Sequence, residues 1–178
     1  MYGKETVHQP RHKMEKCQTG KSRIATGQID LPESLPSYTT RLVEESRHPY
    51  PSRRQVANPE DVAILLKDYF KERDREEFIL LILNTSNVLV GMSVISVGGL
   101  ASSIVEPRQV FKVAVLANAS AVILAHNHPS GNPEPSREDI RITRQLVEAG
   151  KLMGIPVHDH LILAGETFTS LAERGLLG

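Results

Sequence analysis

From about residue 57 the apolar positions of this chain fall into regular spacings. Asn58, Pro59, Glu60 and Asp61 form a helix start: a side-chain cap, a proline suited to the first turn, and two acids facing the helix dipole. Val62, Leu65, Leu66, Tyr69 and Phe70 follow at helical spacing. Residues 78–83 are six consecutive apolar side chains closed by Asn84-Thr85-Ser86-Asn87, the pattern of a strand buried on both faces. Residues 88–97 return as its antiparallel neighbour and stop at Gly98-Gly99. A helix is predicted over 107–117, a buried strand over 121–125, a helix over 136–153, a strand over 157–163 and a short closing helix over 168–176. Helices and strands alternate, with at least one hairpin. The expectation is an α/β fold, a mixed β-sheet flanked by helices.

The chain before this region reads differently. Prolines interrupt it at positions 10, 32, 36, 49 and 51, basic residues outnumber acidic ones over 4–23, and its apolar residues show no period. Such a segment cannot bury enough apolar surface to offset its ordering entropy. Residues 1–55 are therefore expected to form a flexible or partner-dependent arm, with room for a short helix over 38–46, and 56–178 the folded domain.

Composition narrows the class. The 178 residues have zero formal net charge, which gives no sign of a polyanion partner and leaves at most a weak or indirect DNA association. The single cysteine, Cys17, excludes an internal disulfide and favours a reducing, cytoplasmic location. Nothing approaches the roughly 18 apolar residues of a membrane span, so no membrane role is expected. The edge of the strand over 88–97 could support a homodimer.

The chemistry lies in residues 126–139. His126 and His128 stand two apart at the end of a buried strand, where alternate side chains share a face. Both imidazoles can meet one metal ion. Asp139 lies in the first turn of the next helix, beyond a loop stiffened by Pro129, Pro133 and Pro135. Two histidines and one carboxylate are an open zinc set, with a fourth position left for water. Blander readings exist for each part. Ser136 and Asp139 have the spacing of a helix capping box, and loop histidines are common. The conjunction of buried strand, His-x-His, rigid loop and acid at a helix start is what favours a metal.

His126-x-His128, seven residues, Ser136, two residues and Asp139 resembles the JAMM motif of JAB/MPN metalloproteases. The fuller string Ala125-His126-Asn127-His128-Pro129-Ser130-Gly131, with Pro135-Ser136, is similar to the RadC family within that group. The likeness extends through Glu76-Glu77-Phe78, Pro107-Arg108, Asp159-His160-Leu161-Ile162 and Ala172-Glu173-Arg174-Gly175. It implies a JAB/MPN, cytidine-deaminase-like fold in a short form without the helix-hairpin-helix domain of longer members. It also implies one Zn2+ per chain, held by His126, His128 and Asp139. Ser136 would hydrogen-bond the fourth ligand or an oxyanion, and a glutamate on an earlier strand would act as general base. Glu76 is favoured for that role and Glu77 is the alternative; period-two geometry lets only one face the site. Asn84 and Gly98-Gly99 depart from the family pattern without touching a ligand.

The implied activity is a zinc-dependent metallopeptidase or isopeptidase, metal-bound water attacking an amide carbonyl of a peptide or isopeptide whose identity the sequence does not name. The alternative is a non-catalytic zinc-binding module in a DNA-repair or other DNA-associated complex. A zinc deaminase needs a cysteine-rich ligand set that one cysteine cannot supply. An HNH nuclease is excluded by spacing, because His126-Asn127-His128 are consecutive. His158-x-His160 is a second His-x-His pair, expected to be structural or to support the zinc site from behind. Cys17 is read as incidental.

Overall fold

The computed structural model of the chain describes residues 39, 41–44, 55–98 and 105–178, nearly all within one compact unit, 40–178. Residues 41–44 are not helical; the rest of the helix expected over 38–46 and most of the arm over 1–55 lie outside the described residues.

Helix α1 (Pro59–Phe70) begins as its residues dictate: the Asn58 side chain accepts from the Asp61 amide at 3.0 Å. Strands β1 (Glu77–Leu83) and β2 (Leu89–Val97) form a hairpin. At its turn the Asn84 side chain accepts from the Ser86 and Val88 amides, and Asn87 takes a positive φ of 55°. Asparagine is well suited to both roles, and an aspartate at position 84 could accept the same two amide hydrogen bonds. Helix α2 (Pro107–Leu116), strand β3 (Ala121–Asn127), helix α3 (Arg137–Met153), strand β4 (Val157–Ala164) and strand β5 (Thr167–Ser170) complete the order.

The five strands lie in the order β2-β1-β3-β4-β5. Only β3 and β4 are parallel, with α3 as the crossover between them. This is the mixed sheet flanked by helices that the alternation of elements implied. Strands β1 and β3 occupy the middle and every residue of each is buried. Two cores result. Val62, Leu66 and Phe70 of α1 pack on Ile79, Leu81, Ile123 and Leu161 on one face. Val110 and Phe111 of α2 and Ile142 and Leu146 of α3 pack on Phe78, Leu80, Val122 and Leu124 on the other. Truncating one of the fully buried leucines to alanine would cost about 2–5 kcal/mol. Helix α3 closes at Gly154 in the left-handed region (φ 68°). One turn earlier, a Cβ on Gly150 would sit 2.5 Å from the Ile155 carbonyl oxygen, so only glycine lets the helix end lie against the chain entering β4.

The expected closing helix over 168–176 is corrected. Residues Thr167–Ser170 form β5, antiparallel to β4, after a turn at Gly165 (φ 58°), and turns follow to residue 175. The reason is tertiary. The far edge of β4 needs hydrogen-bond partners, which β5 supplies. The buried Asp159 carboxylate then takes the Ser170 hydroxyl at 2.6 Å and the Ala172 amide at 2.9 Å, holding the chain in a turn. Among the described residues, no helix is long and apolar enough to cross a membrane.

Candidate metal centre

Strand β3 alternates faces, so Val122, Leu124 and His126 point toward α2 and α3. His126 is fully buried. The next residue on that side, His128, stands just past the strand end, where its amide donates to the Leu163 carbonyl at 2.7 Å. Its Nδ1 lies 2.7 Å from the Asn132 carbonyl oxygen. The loop then runs to Ser136, which caps α3, and Asp139 is buried in the first turn. A bidentate Arg174–Glu134 pair (2.9 and 3.0 Å) ties the loop to the C-terminal turns.

Three predicted ligands converge. His126 Nε2 is 3.0 Å from His128 Nε2 and 3.3 Å from Asp139 Oδ1, and His128 Nε2 is 3.7 Å from Asp139 Oδ2. Ligand atoms about 2.0–2.1 Å from a tetrahedral zinc lie about 3.3 Å apart, so these separations suit such an ion. The hydrogen-bond directions agree. The Asn132 carbonyl can only accept, so Nδ1 of His128 carries its proton and Nε2 offers a lone pair. Carboxylate oxygens also only accept. A buried spot ringed by lone pairs is stable only around a cation or a proton, and that donor chemistry fits a metal ion.

The capping box is present too. The Ser136 hydroxyl oxygen accepts from the Asp139 amide at 3.1 Å, and Asp139 Oδ2 accepts from the Ser136 amide at 2.7 Å. The structural and metal-binding readings of Asp139 are therefore compatible: the box orients the carboxylate whose Oδ1 faces His126. Burial alone would push the Asp139 carboxyl up. A hydrogen bond and charge from His126, when that ring carries a proton on Nε2, and the two Ser136 contacts outweigh it and hold the group well below the usual carboxylate range. The Ser136 oxygen is occupied as an acceptor, which leaves its hydroxyl proton to donate.

The two glutamates separate. Glu77 is buried on the α1 side, where the Tyr69 hydroxyl donates to it at 2.8 Å and Arg73 lies 3.5 Å away. Burial, then the hydrogen bond to Glu77, pushes the Tyr69 phenol up to about 12. Glu76 is half-buried and joins His126, His128 and Asp139 in one group that could hold a metal ion, their ligand atoms all within 4.8 Å of one another. The Asn127 side chain grips the backbone on both sides of Glu76: Nδ2 donates to the Arg75 carbonyl at 3.0 Å and Oδ1 accepts from the Glu77 amide at 2.7 Å. The Gly98 amide donates to the Glu76 carbonyl at 2.8 Å. Sequence reasoning passed over Asn127. Its signal was a buried polar residue between two ligand candidates, on the opposite face of the same strand.

The second His-x-His pair divides. His158 is exposed, whereas His160 is completely buried with Nε2 2.8 Å from His126 Nδ1. Burial pushes the His160 imidazole well below its ordinary value, so it is neutral. Thr143 of α3 lies 2.5 Å from its Nδ1. Cys17 and Gly99 lie outside the described residues.

Comparison with known proteins agrees with this geometry. The family described as "RadC-like JAB domain" matches residues 56–176. A UPF0758 protein of Salinibacter ruber is 59% identical over 133 residues, covering 75% of this chain and 57% of the relative. One from Moorella thermoacetica is 55% identical over 126 residues (71% and 55%), and one from Methanosarcina acetivorans 46% over 125 residues (70% and 55%). The chain thus spans about half the length of the curated relatives it matches. With that match, its mixed sheet and the His-His-Asp-Glu group at the end of β3, the chain belongs to the RadC family, whose JAB domain it carries.

Proposed function

We propose that this chain is a zinc-dependent metallopeptidase or isopeptidase in which His126, His128 and Asp139 hold the metal and Glu76 is the general base. The observation that carries this reading is the half-buried Glu76 carboxylate in one group with the three ligand candidates. A purely structural zinc would be closed by a fourth tight ligand, commonly cysteine. Here the fourth member is a carboxylate set at the rim.

Bound there, zinc supplies a Lewis acid and brings the pKa of water near neutrality. The protein's own residues do the rest. Glu76 takes the proton of the attacking water and returns it to the leaving amine, which a carboxylate within hydrogen-bond reach can do in both directions. Asn127 and Gly98 hold the Glu76 backbone, so the base starts from a fixed position. The Ser136 hydroxyl donates to the oxyanion as it forms. The substrate class is an amide, in a peptide or an isopeptide.

The test is elemental analysis of untagged protein beside His126→Ala/His128→Ala, followed by peptide and isopeptide screening with Glu76→Gln as control. About one zinc per chain, lost in the double variant, with cleavage abolished by Glu76→Gln, supports the reading. A wild type that takes up no zinc after supplementation sinks it.

A further inference from the structure

Behind the ligands runs a chain of hydrogen bonds that begins and ends on them. Thr143 Oγ1 lies 2.5 Å from the Asp139 carbonyl oxygen and 2.5 Å from His160 Nδ1. His160 Nε2 lies 2.8 Å from His126 Nδ1. Thr143, His160 and His126 are each fully buried, so water does not compete for these contacts.

The protons in this chain have one consistent arrangement. A backbone carbonyl only accepts, so the Thr143 hydroxyl donates to Asp139, the usual contact of a helical threonine with the carbonyl four residues back. A hydroxyl has a single proton. The second short contact of Thr143 must therefore be received from Nδ1–H of His160. A neutral imidazole protonated at Nδ1 is bare at Nε2, so His160 accepts there from Nδ1–H of His126. His126 is then bare at Nε2, the atom that faces His128 and Asp139.

We infer that Thr143 and His160 are positioning residues of the metal centre, holding His126 in the Nδ1–H form so that its Nε2 lone pair is presented to the ion. The inference rests on the metal-binding reading of His126, His128 and Asp139, and not on the reaction. The chain also couples two ligand-bearing elements, because β3 supplies His126 and α3 supplies both Asp139 and Thr143. His160, from β4, bridges them. The carbonyl of Asp139 sets the proton order and the carboxylate of the same residue faces the ion. The His128 ring has a simpler device, the Asn132 carbonyl on its Nδ1. Both histidines are thereby held bare at Nε2, by different means.

The test uses the full chain labelled with 15N-histidine. Long-range 1H–15N spectra of the zinc-free protein read which ring nitrogens carry protons, and competition with a chromophoric chelator gives zinc affinity. The expected result is His126 protonated at Nδ1 before any zinc is added. Thr143→Val keeps the shape and removes the hydroxyl. It should let a population of His126 with bare Nδ1 appear and weaken zinc binding about 10- to 100-fold, the range for residues that orient a ligand from behind. Thr143→Ser restores the hydroxyl and should return both readouts toward wild type, which a packing effect would not do. A wild-type His126 bare at Nδ1, or Thr143→Val binding zinc as tightly as wild type, overturns the inference. Failure of the wild type to bind zinc refutes the metal centre instead, while the zinc-free spectrum still judges the hydrogen-bond chain.

Discussion

Strands β3 and β4 lie side by side and parallel, and each carries a His-x-His pair. On β3 the two rings converge, with their Nε2 atoms 3.0 Å apart. On β4 the rings part: His158 is exposed and His160 is buried behind His126. The cause is a register shift. Val122 of β3 pairs with Val157 and the next residue, Ile123, with Asp159, so β4 contains one extra residue at His158. A bulge of this kind breaks the alternation that a spacing of two assumes. The surroundings differ as well. The β3 pair opens onto a loop and a helix N-terminus that bring a carboxylate, whereas the His160 ring meets Thr143, the His126 imidazole and the Phe78 ring. Identical spacing thus yields a candidate ligand pair in one place and, in the other, one surface residue and one buried residue packed behind His126.

The contrast can be broken most severely at the metal. His126→Ala with His128→Ala should take bound zinc from about one per chain to none, whereas His158→Ala should leave it at one. Elemental analysis reads both, and zinc loss in His158→Ala would erase the distinction between the pairs. At the base, Glu76→Gln should lower hydrolysis by about 10²- to 10⁴-fold with zinc retained. Glu77→Gln should leave turnover within a few fold and lower the melting temperature, since its carboxylate meets Tyr69 and Arg73. Equal losses in the two would assign the base wrongly. His160→Leu should then weaken zinc binding about 10- to 100-fold, by the same competition assay, and do so without removing a ligand.

The smallest effect concerns acid. The Asp139 carboxyl is held below its ordinary value, about 3.9 in an unfolded chain. A depressed carboxylate stabilises the fold fully above the unfolded value and loses that contribution as pH falls through the folded one. In zinc-free protein, the advantage in melting temperature of wild type over Asp139→Asn should shrink as pH falls below about 4. A difference that instead grows on acidification would contradict the sign.

Much of the fold was legible because its signals are local. Asn58 and Pro59 start α1, the run 78–83 is a central strand, and the string from Ala125 to Asp139 marks the centre. The spacing of Ser136 and Asp139 is legible as a capping box, and the structure contains one; the second carboxylate oxygen of Asp139 faces His126. The tail over 168–176 reads as a helix because its apolar spacing suits one, while the groups that decide it, the free edge of β4 and the Asp159 carboxylate, come from another strand.

Sequence alone determined the family, the mixed α/β architecture and three ligand candidates, because strand and helix periodicity and the His-x-His to Asp spacing are set along the backbone. Tertiary structure decided which glutamate joins them, since Glu76 and Glu77 differ only in the sheet face each meets. It also decided that Asn127 clamps the backbone around Glu76 and that His160 and Thr143 stand behind His126. Those roles depend on contacts between residues 17 to 52 positions apart, and no one-dimensional period encodes distances of that kind.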